Sequence, residues 1–244
     1  MLKLTKNRHH ESVLTRTLAL LGVAMLVLSS GPAQGQDIGH VIEEFKRAKI
    51  DPDKTEDPVA LQQLIYDYGA CLIRSKRRPA EGFLKTYPFS SEAAKASPKV
   101  TVDDCVDDGE MRFAAEAVRG PMYQALYKTD FGRAAVTGLR DAPPVDYSAG
   151  AQRPAGDVHL AVRSFADCVV RKDESSTRKL ILSRIGSSEE ASAIQSLVPL
   201  MNGCVEKGNQ IRFTRPLLRA LFAETSYRLS VARSAQLAGT GSQH

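Results

Sequence analysis

Leu61, Leu64, Ile65, Tyr68 and Leu72 recur at steps of 3, 4, 3 and 4, the spacing of one face of an amphipathic helix. Asp57 before Pro58 supplies an N-cap and a first-turn proline, so the predicted helix starts there and runs to about Lys76. Cys71 lies on the flank of its apolar stripe. A comparable helix is predicted from near Asp157 to about Arg171, and short helices around Glu81 to Lys85 and Ser176 to Ser183. Ser91 and Ser188, each followed by an acid, read as further N-caps. A closing helix begins at Thr214 and Pro216, carries Leu217, Leu218, Leu221, Phe222 and Thr225 as its stripe, and ends near Arg233. Its earlier counterpart holds Gly120-Pro121, which predicts a kink or a late start. Glu110 to Phe113 and Gln210 to Phe213 read as briefly extended. No alternating run is long enough for a sheet, so the expected class is all-α.

These elements come in two sets. Tyr68-x-x-Cys71-Leu72-Ile73-Arg74 aligns with Phe165-x-x-Cys168-Val169-Val170-Arg171 at an offset of 97. Phe83-Leu84 aligns with Leu180-Ile181, and Ser90-Ser91-Glu92 with Ser187-Ser188-Glu189. Beyond the second cysteine of each set the offset becomes 100: Met111-Arg112-Phe113 with Ile211-Arg212-Phe213, Arg119 with Arg219, Tyr127 with Tyr227. Small insertions in loops account for such a change of register. The expected organisation is two tandem copies of a small helical unit, residues 58–132 and 158–233. A Pro/Gly-rich linker (133–157) separates them, a segment 36–57 precedes them and a polar, frayed tail (234–244) follows. Few contacts are expected to cross the linker.

The chain's beginning is read differently. Lys3, Lys6, Arg8 and Arg16 precede the apolar run Leu18 to Leu28, and the small residues Ser29 to Gln36 follow it. Basic, apolar and small-residue regions in that order describe a secretory signal peptide over residues 1–35. Cleavage after Ala33 or after Gly35 satisfies the small-residue rule. The run is about half the ~20 residues that span a bilayer, so membrane contact is expected only through this signal. The expected location is the periplasm or the exterior.

Removing residues 1–35 takes three of the five net positive charges of the 244-residue chain, so its basic balance does not argue for nucleic acid. What remains is uneven: residues 36–130 carry a net −3 and residues 131–244 a net +5. Solvated surface explains this, and a basic face for an anionic or envelope partner is the sharper alternative.

In an exported chain Cys71, Cys105, Cys168 and Cys204 read as disulfides. Of three possible connectivities the repeat favours Cys71–Cys105 and Cys168–Cys204, each closing a loop worth about 3–4 kcal/mol in chain entropy. Zinc or redox chemistry does not fit, since no C-x-x-C occurs and no His lies near a Cys. The remaining candidates are thin. His40, His159 and His244 suggest no triad, and no P-loop, G-x-S-x-G or H-E-x-x-H is present. Asp103, Asp104, Asp107, Asp108 and Glu110 around Cys105 could serve a carboxylate-dependent hydrolase, or form a solvated acidic turn that lacks EF-hand spacing. The doubled pattern Arg112, Arg119, Tyr127 and Arg212, Arg219, Tyr227 is either a row of cations for an anionic partner or an architectural bracket, and its presence in both copies favours the bracket.

Cys168-Val-Val-Arg171, the Ser187-Ser-Glu-Glu190 turn, Cys204, the Arg212-Phe-Thr-Arg-Pro216 stretch and the Arg219 to Tyr227 pattern together resemble small exported proteins of alphaproteobacteria, of the sphingomonad type, over about residues 60–232. That family has no assigned activity, so the resemblance implies compartment and architecture and no reaction. The expected function is an exported, non-enzymatic helical module without cofactor or metal that binds a protein or envelope partner.

Overall fold

The computed structural model describes residues 57–101, 105, 114–151, 157–205 and 212–241. Residues 1–35, where a signal peptide is expected, residues 36–56, the acids Asp103 to Glu110, and Arg112 lie outside them. Among the described residues the fold is all-helical: α1 (Pro58–Leu84), α2 (Ser91–Ala96), α3 (Arg119–Phe131), α4 (Val158–Lys172), α5 (Glu174–Leu182), α6 (Ser188–Met201) and α7 (Arg215–Gly241).

The helix starts follow from side-chain oxygens that satisfy otherwise orphaned amides. Asp57 accepts from the Val59 amide at 2.8 Å, and Asp157 from those of His159 and Leu160. Thr214 accepts from Leu217. The expected caps Ser91 and Ser188 are each one residue late: Ser90 accepts from Ala93, and Ser187 from Glu190.

In the first half, Lys76 (φ −139°, ψ 50°) interrupts α1, so the expected short second helix is its continuation to Leu84. At the offset position Asp173 (φ −147°, ψ 81°) separates α4 from α5 and caps α5 through the Ser176 amide. Pro79 stands where Ser176 does and has no amide to cap, so Lys76 can replace the aspartate there. Gly120-Pro121 gives the late start: a 3-10 turn, Ala115–Val118, leads into α3.

Two apolar clusters form. One gathers Leu72, Phe83, Met122 and Leu126 from the first half, the other Val169, Leu180, Leu197 and Phe222 from the second. The first also takes in Ile181 and Ala223 of the second half. This corrects the expectation of two units with few contacts across the linker. The described residues belong to one compact unit, and α3 packs more extensively on α7 than any other pair of helices. Their close approach depends on small residues: a Cβ on Gly120 would lie 2.3 Å from that of Ala220. The starts of α1 and α4 are exchanged in the same sense. Val59 sits against the turn at Gly186, and His159 stacks on Phe89 at 5.0 Å between ring centroids.

Residues 133–151 are not loosely bonded linker backbone. Leu139, Ala142 and Tyr147 are buried. Arg171 donates to the carbonyls of Leu139, Arg140, Ala142 and Pro143, and Glu174 accepts from the amides of Gly138 and Leu139. The composition suggested exposure because Pro and Gly are counted as loop formers, while the anchoring groups sit about thirty residues away. The last helix likewise continues past Arg233 to Gly241, so most of the expected frayed tail is helical.

Candidate functional site

Arg119 and Arg219, the centres of the doubled pattern, both point inward. Arg119 is 5% exposed and donates to the carbonyls of Leu84 and Thr86 and to the Thr86 hydroxyl. Arg219 is fully buried and donates to the carbonyls of Ile181 and Ser183 and to the Ser183 hydroxyl. The donors are offset by 100 and the acceptors by 97, the offsets of the sequence alignment. Each arginine thus ties the start of a long helix to the end of the helix that precedes the Ser-Ser turn.

The counter-ions come from different places. Arg119 pairs with Glu116, one turn upstream. Arg219 pairs with Glu190 in the first turn of α6 at 2.8 Å. Each carboxylate also accepts the amide of the left-handed residue of its turn, Phe89 to Glu116 and Gly186 to Glu190. The position offset from Glu190 is Ala93 and that offset from Glu116 is Pro216, so one carboxylate serves each half. Single-pattern reading identified the arginines and missed this compensation; comparing the halves position by position would have found it. Phe89 is the only non-glycine with positive φ among the described residues (59°), held where the other half has Gly186.

A second charged layer joins the halves. Glu224 accepts from Arg163 at 2.9 Å and pairs with Arg228 at 3.0 Å. Burial alone would raise the Glu224 carboxyl, but the two guanidiniums outweigh it and hold it below its ordinary value. Arg228 donates to the Tyr123 hydroxyl, which donates to the Leu84 carbonyl. Burial and the Glu224 charge raise the Tyr123 phenol. Gln124, offset by 100 from Glu224, accepts from Arg219 across the interface. Tyr66 sets its ring 6.0 Å from the Arg219 guanidinium, and burial pushes its phenol well above the usual range.

The remaining predicted residues are dispersed. Tyr127 is buried and meets Arg178, which also donates to the carbonyls of Phe131 and Gly132. Tyr227 is half-buried beside Asp130, and burial with that charge pushes its phenol up to about 12. Arg212 is exposed. The structure therefore brings no row of cations to a surface from Arg119 and Arg219; together with Tyr127 they close the interior. Cys71–Cys105 and Cys168–Cys204 are bonded, with Cα atoms 5.7 Å apart in each pair, so every half carries its own staple. Among the described residues no group of three or more His, Cys, Asp and Glu could hold a metal ion. No family model, curated protein or solved structure matches the chain.

Proposed function

We propose that this chain is an exported, non-enzymatic scaffold built from two diverged copies of one helical unit, which binds a protein or envelope partner in an oxidising compartment. The observation that carries the reading is the pair of disulfides, one within each half, since such bonds persist where thiols are not kept reduced. The matching arginine brackets and the matching breaks at Lys76 and Asp173 support descent from one unit. The inward use of Arg119 and Arg219 leaves the anionic-partner role to exposed residues. The basic, apolar and small-residue order of residues 1–36 and the resemblance to exported alphaproteobacterial proteins support the compartment.

Mass spectrometry of the chain expressed in a Gram-negative host tests this. The expected product is periplasmic or secreted, begins at Gln34 or Gln36, and has all four cysteines blocked from alkylation until reduced. A cytoplasmic product beginning at Met1 with four free thiols would overturn it.

A further inference from the structure

Residues 133–151 lie across the second half as a strap. Arg171 of α4 holds it by the carbonyls of Leu139, Arg140, Ala142 and Pro143. Leu139 and Ala142 join the second apolar cluster, together with Leu229 of α7. Tyr147 donates to Asp167 of α4 at 3.0 Å, and the Arg228 guanidinium lies 5.5 Å from its ring centroid.

The first half keeps the receiving side of this arrangement. Arg74 of α1 stands at the position offset from Arg171. Among the described residues it is exposed and makes no hydrogen bond or ion pair. The same offset of 97 carries the strap onto residues 36–54, outside the described residues. Its buried positions Leu139, Ala142 and Tyr147 become Ile42, Phe45 and Ile50, all apolar.

The differences between the halves change in step on the two sides. Where Tyr147 meets Asp167 and Arg228, the first half has Ile50, Ala70 and Lys128, so the phenol, its acceptor and its guanidinium are absent together. Where Ala142 shares a cluster with Leu229, the first half has the larger Phe45 and the smaller Thr129, which is exposed. Where Glu174 holds the amides of the left-handed Gly138 and of Leu139, the first half has Arg77 and Val41. A β-branched residue is strained in a left-handed turn and a guanidinium cannot accept from an amide, so turn and anchor are lost together. Contact between the segment and this face accounts for paired changes of this kind.

We propose that residues 38–50 form a second strap, which lays Ile42, Phe45 and Ile50 over α1 and α3 of the first half and is held by Arg74. Ala70, Thr129 and the aliphatic stem of Lys128 receive the apolar side chains. The inference rests on the two-copy reading, and on neither the compartment nor a partner.

Limited trypsinolysis of the purified, oxidised mature chain tests it, because Lys46, Arg47 and Lys49 stand within the strap. These sites are cut at least tenfold more slowly than in a synthetic peptide of residues 36–56. Phe45→Ser and Arg74→Gln each remove most of that protection, while the helices from α1 onward stay resistant. Benzoylphenylalanine placed at position 45 cross-links within the chain to peptides of α1 or α3. Cleavage as fast as in the peptide, protection that survives both substitutions, or cross-links to other elements overturns the strap. Protection that fades on dilution, with cross-links between chains, assigns the face to a second copy and overturns it as well. Every arm is read with both disulfides intact, so failure here leaves the exported scaffold standing, and a cytoplasmic product with free thiols leaves the strap standing.

Discussion

Arg219→Met removes a guanidinium with no solvent exposure that reaches Glu190, Gln124, two backbone carbonyls and the Ser183 hydroxyl. The cost comes mainly from what is left behind. Glu190 is 2% exposed and keeps the Gly186 amide at 2.7 Å but loses its only ion-pair partner among the described residues. Breaking a buried pair of this kind costs about 3–5 kcal/mol. For a chain of this size that lowers the thermal midpoint by about 6–20 °C, taking 2–4 °C per kcal/mol. Glu190→Gln keeps an oxygen for the Gly186 amide while removing the charge. Arg219→Met combined with Glu190→Gln is therefore expected to be more stable than the sum of the two single losses, by about 1–3 kcal/mol. Urea unfolding of the four proteins measures the cycle. A loss below about 1 kcal/mol for Arg219→Met, or strict additivity, would refute the bracket.

Gly120→Ala places a methyl 2.3 Å from the Ala220 Cβ and is expected to cost about 1–3 kcal/mol, with partial recovery in Gly120→Ala/Ala220→Gly; denaturant midpoints read both. Glu224 has a folded pKa below its unfolded value, so its stabilisation is present above an unfolded pKa of about 4.3 and is lost as pH falls through the folded value. Glu224→Gln should lower stability at pH 7 and flatten the acid limb of the stability profile, and an unchanged limb would contradict the pairing with Arg163 and Arg228. Tyr227 is raised to about 12, so its contribution is present below about pH 10 and fades as pH approaches 12; Tyr227→Phe should reduce that alkaline loss in a spectrophotometric melt.

The helices were legible because their apolar residues keep steps of 3 and 4 and their first turns carry Asp, Thr and Pro. The cysteine partners were legible from the offset of 97 at the first cysteine and its small drift at the second. The Ser-Ser doublet misled by one residue because either serine is a competent cap, and the choice depends on which oxygen meets the amide three residues on. The extension past Arg233 was hidden because Ser234 to Thr240 carry no apolar stripe. The union of the halves was illegible for a deeper reason. It rests on Gly120 and Ala220, which have too little side chain to register as core, and on Arg163, Gln124, Glu224 and Arg228, which pattern reading assigns to solvent. Polar residues buried in pairs invert the rule on which that reading depends.

The central claim is that two separately stapled halves unfold as one body. Differential scanning calorimetry of Cys71→Ser/Cys105→Ser tests it most directly. Loss of a loop closed across 34 residues removes about 4 kcal/mol in chain entropy. Because α3 and α7 share their packing, one cooperative transition is expected, lowered by about 8–16 °C, with the second half melting together with the first. Two transitions, the upper one at the parent midpoint, would show instead that the halves are independent units and would contradict the fused core.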